Sequence, residues 1–144
     1  MSGPRASIAG PADWPEIVAL RTRVFVGEQG VPPEIEQDAA DATAVHGVAR
    51  DAAGVLVATG RLLLRADGTA AIGRMATDAS ARGRGHGAAV LGVLQEEARR
   101  LGARTVELHA QVTARAFYER AGYSAVGAEY VEAGIAHVTM RRPL

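Results

Sequence analysis

Apolar positions along this chain follow two periods, and the switches between them mark its elements. A short strand is predicted at Ala6–Gly10. In "ADWPEIVALRTRVFVGE", Trp14, Ile17, Val18, Val24 and Phe25 recur at helical spacing. Asp13 is placed to cap that helix, with Glu16 three residues on as in a capping box and Pro15 tolerated in the first turn. "GVPPEIEQDAADAT" breaks the pattern; its prolines and acidic side chains predict a loop or short helix near the surface. "AVHGVARD" and "GVLVATGRLLLR" then flank "DAAG" as a hairpin, and "TAAIGRMAT", Thr69–Thr77, follows the turn "RADG" as a further strand.

The helical period returns in "AAVLGVLQEEARRLG", with Val90, Leu91, Leu94, Ala98 and Leu101 on one face and Gly102 as the stop. "RTVELHAQ" is strand-like in its first half, and "TARAFYERAG" predicts a short helix capped by Thr113 and ended by Gly122. The remainder reads as a hairpin turning near Ala133-Gly134. The order β-α-β-β-β-α-β-α-β-β predicts an α/β or α+β domain around one central sheet.

Composition narrows the class. A chain of 144 residues, 48% hydrophobic and 22% charged, fits one soluble globular domain spanning 1–144. There is no cysteine, which excludes disulfides, thiolate metal sites and a thiol nucleophile; no metal is expected. Formal net charge is zero, so no global field steers the protein to nucleic acid or membrane, and neither is expected as a partner. No apolar run approaches the roughly 20 residues of a membrane span. "MSGPRASIAG" lacks a charged-then-apolar leader, so a cytoplasmic protein is expected.

The stretch "RGRGHG", Arg82 to Gly87, asks more of the chain than a turn does. Three glycines and two arginines sit at a helix entrance, where backbone N–H groups lack partners and the helix dipole is positive. One reading is a tight connection. The other is anion capture, with the backbone of Gly83, Gly85 and Gly87 approaching phosphate oxygens and Arg82 and Arg84 adding charge-assisted bonds. His86 could donate as well, or face solvent. A dinucleotide pattern is also present in Gly83, Gly85 and Ala88, with Glu107 near the offset of a ribose-binding acid, but "DASAR" separates it from its strand.

Arg82, Gly85 and Gly87 also form R-x-x-G-x-G between a strand and a helix. Downstream, "QVTARAFYERAGY" carries Ala114, Phe117, Tyr118, Gly122 and Tyr123 in the pattern N-x-x-A-x-x-F-Y-x-x-x-G-[FY], with Gln111 in place of the asparagine. With both elements in this order the chain resembles the GNAT superfamily of N-acetyltransferases. "RTRVFVGEQGVPPEIEQDAAD" and "GIAHVTM" further resemble its ElaA-like branch. The resemblance implies a mixed sheet splayed between the fourth and fifth strands, with acetyl-CoA as co-substrate. It implies the pyrophosphate on Arg82–Ala88, the pantetheine arm along Met75, Ala76 and Thr77, Gln111 beside the cofactor, and Tyr118 as general acid for the leaving thiolate. Relatives are commonly dimers, so a homodimer is among the expectations.

The general base stays open. His109 lies in "ELHAQ", His137 in the last strand, and Glu28, Glu36, Asp38 and Asp41 around the acidic loop; any of these can order a water for deprotonation, or the histidines serve only as structural residues and the acids only solvate the loop. Arg74 stands where some relatives carry a glutamate base. Glu28, Glu36, Asp38 and Asp41 in and beside the acidic run would attract a cationic amine acceptor if they face the cleft. Three other functions stay open: a non-catalytic acyl-CoA-binding module, a nucleotide-cofactor protein, and a structural domain that binds neither.

Overall fold

The computed structural model describes residues 5–144. Its strands are β1 (Arg5–Ile8), β2 (Val45–Arg50), β3 (Leu56–Leu64), β4 (Thr69–Thr77), β5 (Thr105–Gln111), β6 (Ser124–Glu132) and β7 (Ile135–Pro143). Its α-helices are α1 (Trp14–Arg21), α2 (Pro33–Glu36), α3 (His86–Arg100) and α4 (Arg115–Arg120). The strands make one seven-stranded sheet in the order β1-β2-β3-β4-β5-β7-β6. Neighbours pair antiparallel except β4 and β5. The expected strand-helix order and mixed sheet are borne out. The leader reading rests partly on residues 1–4, which lie outside the described residues. Among the described residues no helix is long and apolar enough to cross a membrane.

β4 and β5 pair only at Thr69–Thr105, Ala70–Val106 and Ala71–Glu107, then part. Their diverging ends are the splay. On its other edge β4 bulges: the register with β3 slips between Thr59 and Arg61, and Arg74 takes a left-handed backbone at φ 50°. Such a conformation costs about 1–2 kcal/mol for a side-chain-bearing residue. Gly60 faces this bulge. A Cβ there would overlap the Met75 sulfur and press on Leu94 Cδ1 at 3.0 Å. Glycine therefore lets α3 and the bulge close on the same strand. Gly60→Val should lower stability by about 1–3 kcal/mol through overpacking, read as a shifted denaturant midpoint. An unchanged midpoint would show that Met75 yields freely.

α3 buries Val90, Leu91, Leu94 and Ala98 against the sheet, as the helical period predicts. Leu101 does not join them. The helix stops at Arg100 and Leu101 is 40% exposed, while Gln95 is buried with its amide oxygen accepting from the Tyr123 hydroxyl at 2.7 Å. The first helical segment also differs from expectation. After α1 it widens into a π-helical stretch, Thr22–Glu28, which carries Val24 and Phe25 together into the core with Leu20, Leu56 and Ala76. Asp13 does not cap α1. Its carboxylate takes the Gly10 N–H at 2.9 Å and the Arg50 guanidinium at 2.7 Å, and Glu16 also turns to Arg50. A cation on β2 is a stronger partner than a helix N–H. Thr113 likewise lies inside a 3-10 turn, and Ala114 occupies the start of α4 without a side-chain cap.

Candidate active site

The splay opens into a cleft of about 1200 Å³. Its walls come from the π-helical stretch, α2, the bulged end of β4, the loop into α3, β5, α4 and the β6–β7 turn. Met75, Ala76, Thr77, Arg82, Gly83, Gly85, His86, Gly87, Ala88, Gln111, Tyr118, His109 and His137 all line it. Arg84 is exposed and is not among the lining residues.

The glycine loop is built to leave donors free. Gly83 and Gly85 take positive φ of 77° and 85°, where a side chain is strained. Gly85 is the N-cap of the 15-residue α3, and no side chain caps it. The first-turn N–H groups of α3, including those of Gly87 and Ala88, are thus without intrahelical acceptors. A Cβ on Gly87 would stand 3.4 Å from Thr77 Oγ1 and 3.7 Å from Phe117 Cζ, so a side chain there would fill the space beneath the loop. His86 is buried rather than solvent-facing, and its Nδ1 is enclosed with no partner. Uncapped donors, a positive dipole end and an orphaned ring nitrogen fit an anionic group. Arg82 is engaged within the chain: one guanidinium nitrogen donates to both Glu28 oxygens at 2.8 and 2.7 Å, and its Nε donates to the Thr77 carbonyl at 3.1 Å.

Tyr118 is 7% exposed, with Phe117 and Tyr123 edge-on to its ring at 5.0 and 5.9 Å. Burial alone pushes its hydroxyl up to about 12, so it holds its proton through neutral pH. Gln111 and Gln29 exchange amide hydrogen bonds of 2.7 and 3.4 Å, which ties β5 to the segment after the π-helical stretch across the cleft.

The acidic run forms the expected short helix near the surface, but some of its carboxylates turn inward. Glu36 is 3% exposed and accepts from Arg21 Nε at 2.6 Å; Arg21 itself is 1% exposed. Asp41, half-buried, accepts from Arg21 and Arg61, and Asp38 accepts from Arg61 and Arg74. Three carboxylates thus meet three arginines, Glu34 is exposed, and Glu28 ahead of the run meets Arg82. Each of Glu28, Glu36 and Asp38 is paired with an arginine of the chain, Glu36 in the interior and Glu28 and Asp38 at exposed positions, which offsets the negative field expected of them toward an acceptor. Arg74 reaches from the bulge to the Glu36 carbonyl at 3.0 Å and so straps α2 to the edge of the cleft.

The residues that sequence reasoning missed are Arg21, Arg61 and Gln29. Arg21 had a signal: with Ile17, Leu20 and Val24 it occupies the helical spacing of a buried face. A cation there calls for buried acids, and the run after Pro33 supplies them.

The comparisons with known proteins agree with this geometry. A family model described as an acetyltransferase (GNAT) domain matches residues 15–144. YjcF of Bacillus subtilis, an uncharacterized N-acetyltransferase, is 34% identical over 124 residues, covering 85% of this chain and 87% of that one. The crystal structure of an acyl-CoA N-acyltransferase from Pseudomonas aeruginosa superposes with TM-score 0.82 at 33% identity, over 99% of each chain. Escherichia coli ElaA superposes with TM-score 0.82 at 26% identity, again over 99% of each.

Proposed function

The chain belongs to the GNAT acetyltransferase family, and on that premise we propose that it moves an acetyl group from acetyl-CoA to a primary amine of a small molecule or peptide. The unit of activity is the single domain 1–144, working in the cytoplasm on a soluble acceptor. One observation carries the reading: β4 and β5 part beside an uncapped helix N-terminus, and both border the same cleft.

The roles follow from that arrangement. The backbone of Gly83–Ala88 holds the pyrophosphate, and Arg82 reaches it by exchanging Glu28 for the phosphate oxygens. Met75–Thr77 pair with the pantetheine arm on the edge of β4 that β5 has left. Acetyl-CoA supplies the thioester carbon. The Tyr118 hydroxyl supplies the proton that the departing sulfur needs. Its enclosure keeps it protonated, and a proton donor of this kind contributes about 10²–10⁴ in rate.

Thiol release from acetyl-CoA in the presence of amines tests the reading. Tyr118→Phe should cut turnover by roughly a hundredfold or more while leaving acetyl-CoA affinity nearly intact. Unchanged turnover would remove Tyr118 from the chemistry. A protein that binds acetyl-CoA and turns over no amine would instead be a non-catalytic acyl-CoA-binding module.

A further inference from the structure

The geometry points to His137 as the general base of the reaction, with the Ile135 carbonyl as the group that fixes which ring nitrogen receives the proton. This inference rests on the acetyl-transfer reading above. Two histidines line the cleft, His109 on β5 and His137 on β7, and their surroundings separate them.

His137 Nδ1 lies 2.7 Å from the Ile135 carbonyl oxygen. A carbonyl only accepts, so Nδ1 carries the hydrogen. In the neutral ring Nε2 is then a bare lone pair. It has no partner among the described residues and is not enclosed, and the residue lines the cleft. The ring itself is clamped. It is 9% exposed and stacks on Tyr130, with centroids 5.9 Å apart and planes inclined by 21°. Register puts it opposite Tyr130 on β6 and Gln111 on β5, so both neighbouring strands hold it. The Ala133-Gly134 turn, with φ of 52° and 76°, returns the chain so that Ile135 leads directly into β7.

His109 offers the opposite arrangement. Its side chain is 47% exposed, with Nε2 3.9 Å from Glu107 and Nδ1 3.6 Å from Glu132. Neither contact is of hydrogen-bond length, so nothing in the fold fixes which nitrogen of this half-exposed ring carries the hydrogen. Tyr130 on β6 packs on His137, His109 on β5 meets the other side of Tyr130 and faces Glu107 and Glu132, and Tyr118, Arg120 and the Arg82-paired Glu28 line the same cleft.

The proton balance closes without any further reactant. The lone pair of the neutral amine forms the N–C bond to the thioester carbon, and His137 Nε2 takes one N–H proton. The C–S bond breaks with its electron pair on sulfur, which takes the Tyr118 proton. The proton on His137 returns to Tyr118 through solvent in the cleft. Amine and thioester become amide and thiol.

The test combines kinetics with a spectroscopic readout. Thiol release from acetyl-CoA is followed with benzylamine and with a lysine-bearing tripeptide as probe amines, across neutral and alkaline pH. His137→Gln should lower kcat roughly a hundredfold or more and leave acetyl-CoA affinity unchanged. In the wild type, histidine-selective ¹⁵N labelling should show His137 as the Nδ1-protonated tautomer. An Nε2-protonated ring overturns the proposal whatever the kinetics. So does His137→Gln with wild-type turnover, or His109→Gln alone carrying the loss. Absence of turnover with both amines in a wild type that binds acetyl-CoA would overturn the acetyl-transfer reading itself, and the base with it.

Discussion

Arg21→Leu is expected to lose about 3–5 kcal/mol of stability, the range for stripping one partner from a buried ion pair. The guanidinium is almost wholly enclosed. It donates to the Glu36 carboxylate at 2.6 Å, the Glu36 carbonyl at 2.9 Å, and both Asp41 oxygens at 2.8 and 3.2 Å. Leucine would leave the Glu36 carboxylate enclosed and unpaired, and Asp41 with Arg61 alone. Domains of this size have only about 5–15 kcal/mol in total, so the variant would be marginal. Arg21→Lys should fall between, because one ammonium cannot reproduce the planar fork. Denaturant unfolding decides; a loss below about 1 kcal/mol, the usual ceiling for an exposed pair, would show that the network is effectively solvated. Acid adds a second signature. Burial pushes the Asp41 carboxyl up, but hydrogen bonds from Arg21 and Arg61 outweigh it and hold it at about 2. A depressed carboxylate stabilises the fold above its ordinary value of 3.8 and loses that contribution as pH falls toward about 2. That loss should be smaller in Arg21→Leu.

Gly85→Glu is expected to weaken acetyl-CoA binding by roughly a hundredfold or more, equivalent to about 2.7 kcal/mol or above. Gly85 is exposed at the entrance of α3. The loss comes from two local sources. A side chain at φ 85° is strained, and the carboxylate sits at the uncapped end of α3, where it would take the N–H groups a phosphate needs and repel the phosphate itself. Gly85→Ala introduces the strain without the charge and should lose much less. Equal losses in the two variants would mean that backbone shape, and not anion binding, is what the loop provides. Wild-type affinity in Gly85→Glu would place the cofactor elsewhere.

Local pattern made most of the fold legible. Thr69–Thr77 is a strand over the predicted residues, the buried face of α3 follows its helical period up to Ala98, and the last hairpin turns at Ala133-Gly134. The glycines of "RGRGHG" announced a loop needing positive φ ahead of a helix, and Gly83 and Gly85 have it. The splay came from resemblance, since nothing in the periodicity of β4 or β5 says where their pairing ends. The acid–base pairing was hidden for a different reason. Arg21 meets Glu36 and Arg61 meets Asp38 only after the chain has folded back on itself, and composition alone makes those acids look solvated. Hydrophobic spacing also cannot tell an α-turn from a π-turn, so Thr22–Glu28 read as ordinary helix, and with it the placement of Gln29 against Gln111 went unseen. The rings of His109 and His137 were equivalent as letters; only the Ile135 carbonyl and the two flanking carboxylates distinguish them.

Calorimetric titration of the wild-type protein with acetyl-CoA, with NADH as the control, tests the central claim most directly. Saturable binding of acetyl-CoA and none of NADH is the predicted result. Absence of acetyl-CoA binding, or preference for NADH, would contradict it, and the catalytic roles of Tyr118 and His137 would fall together.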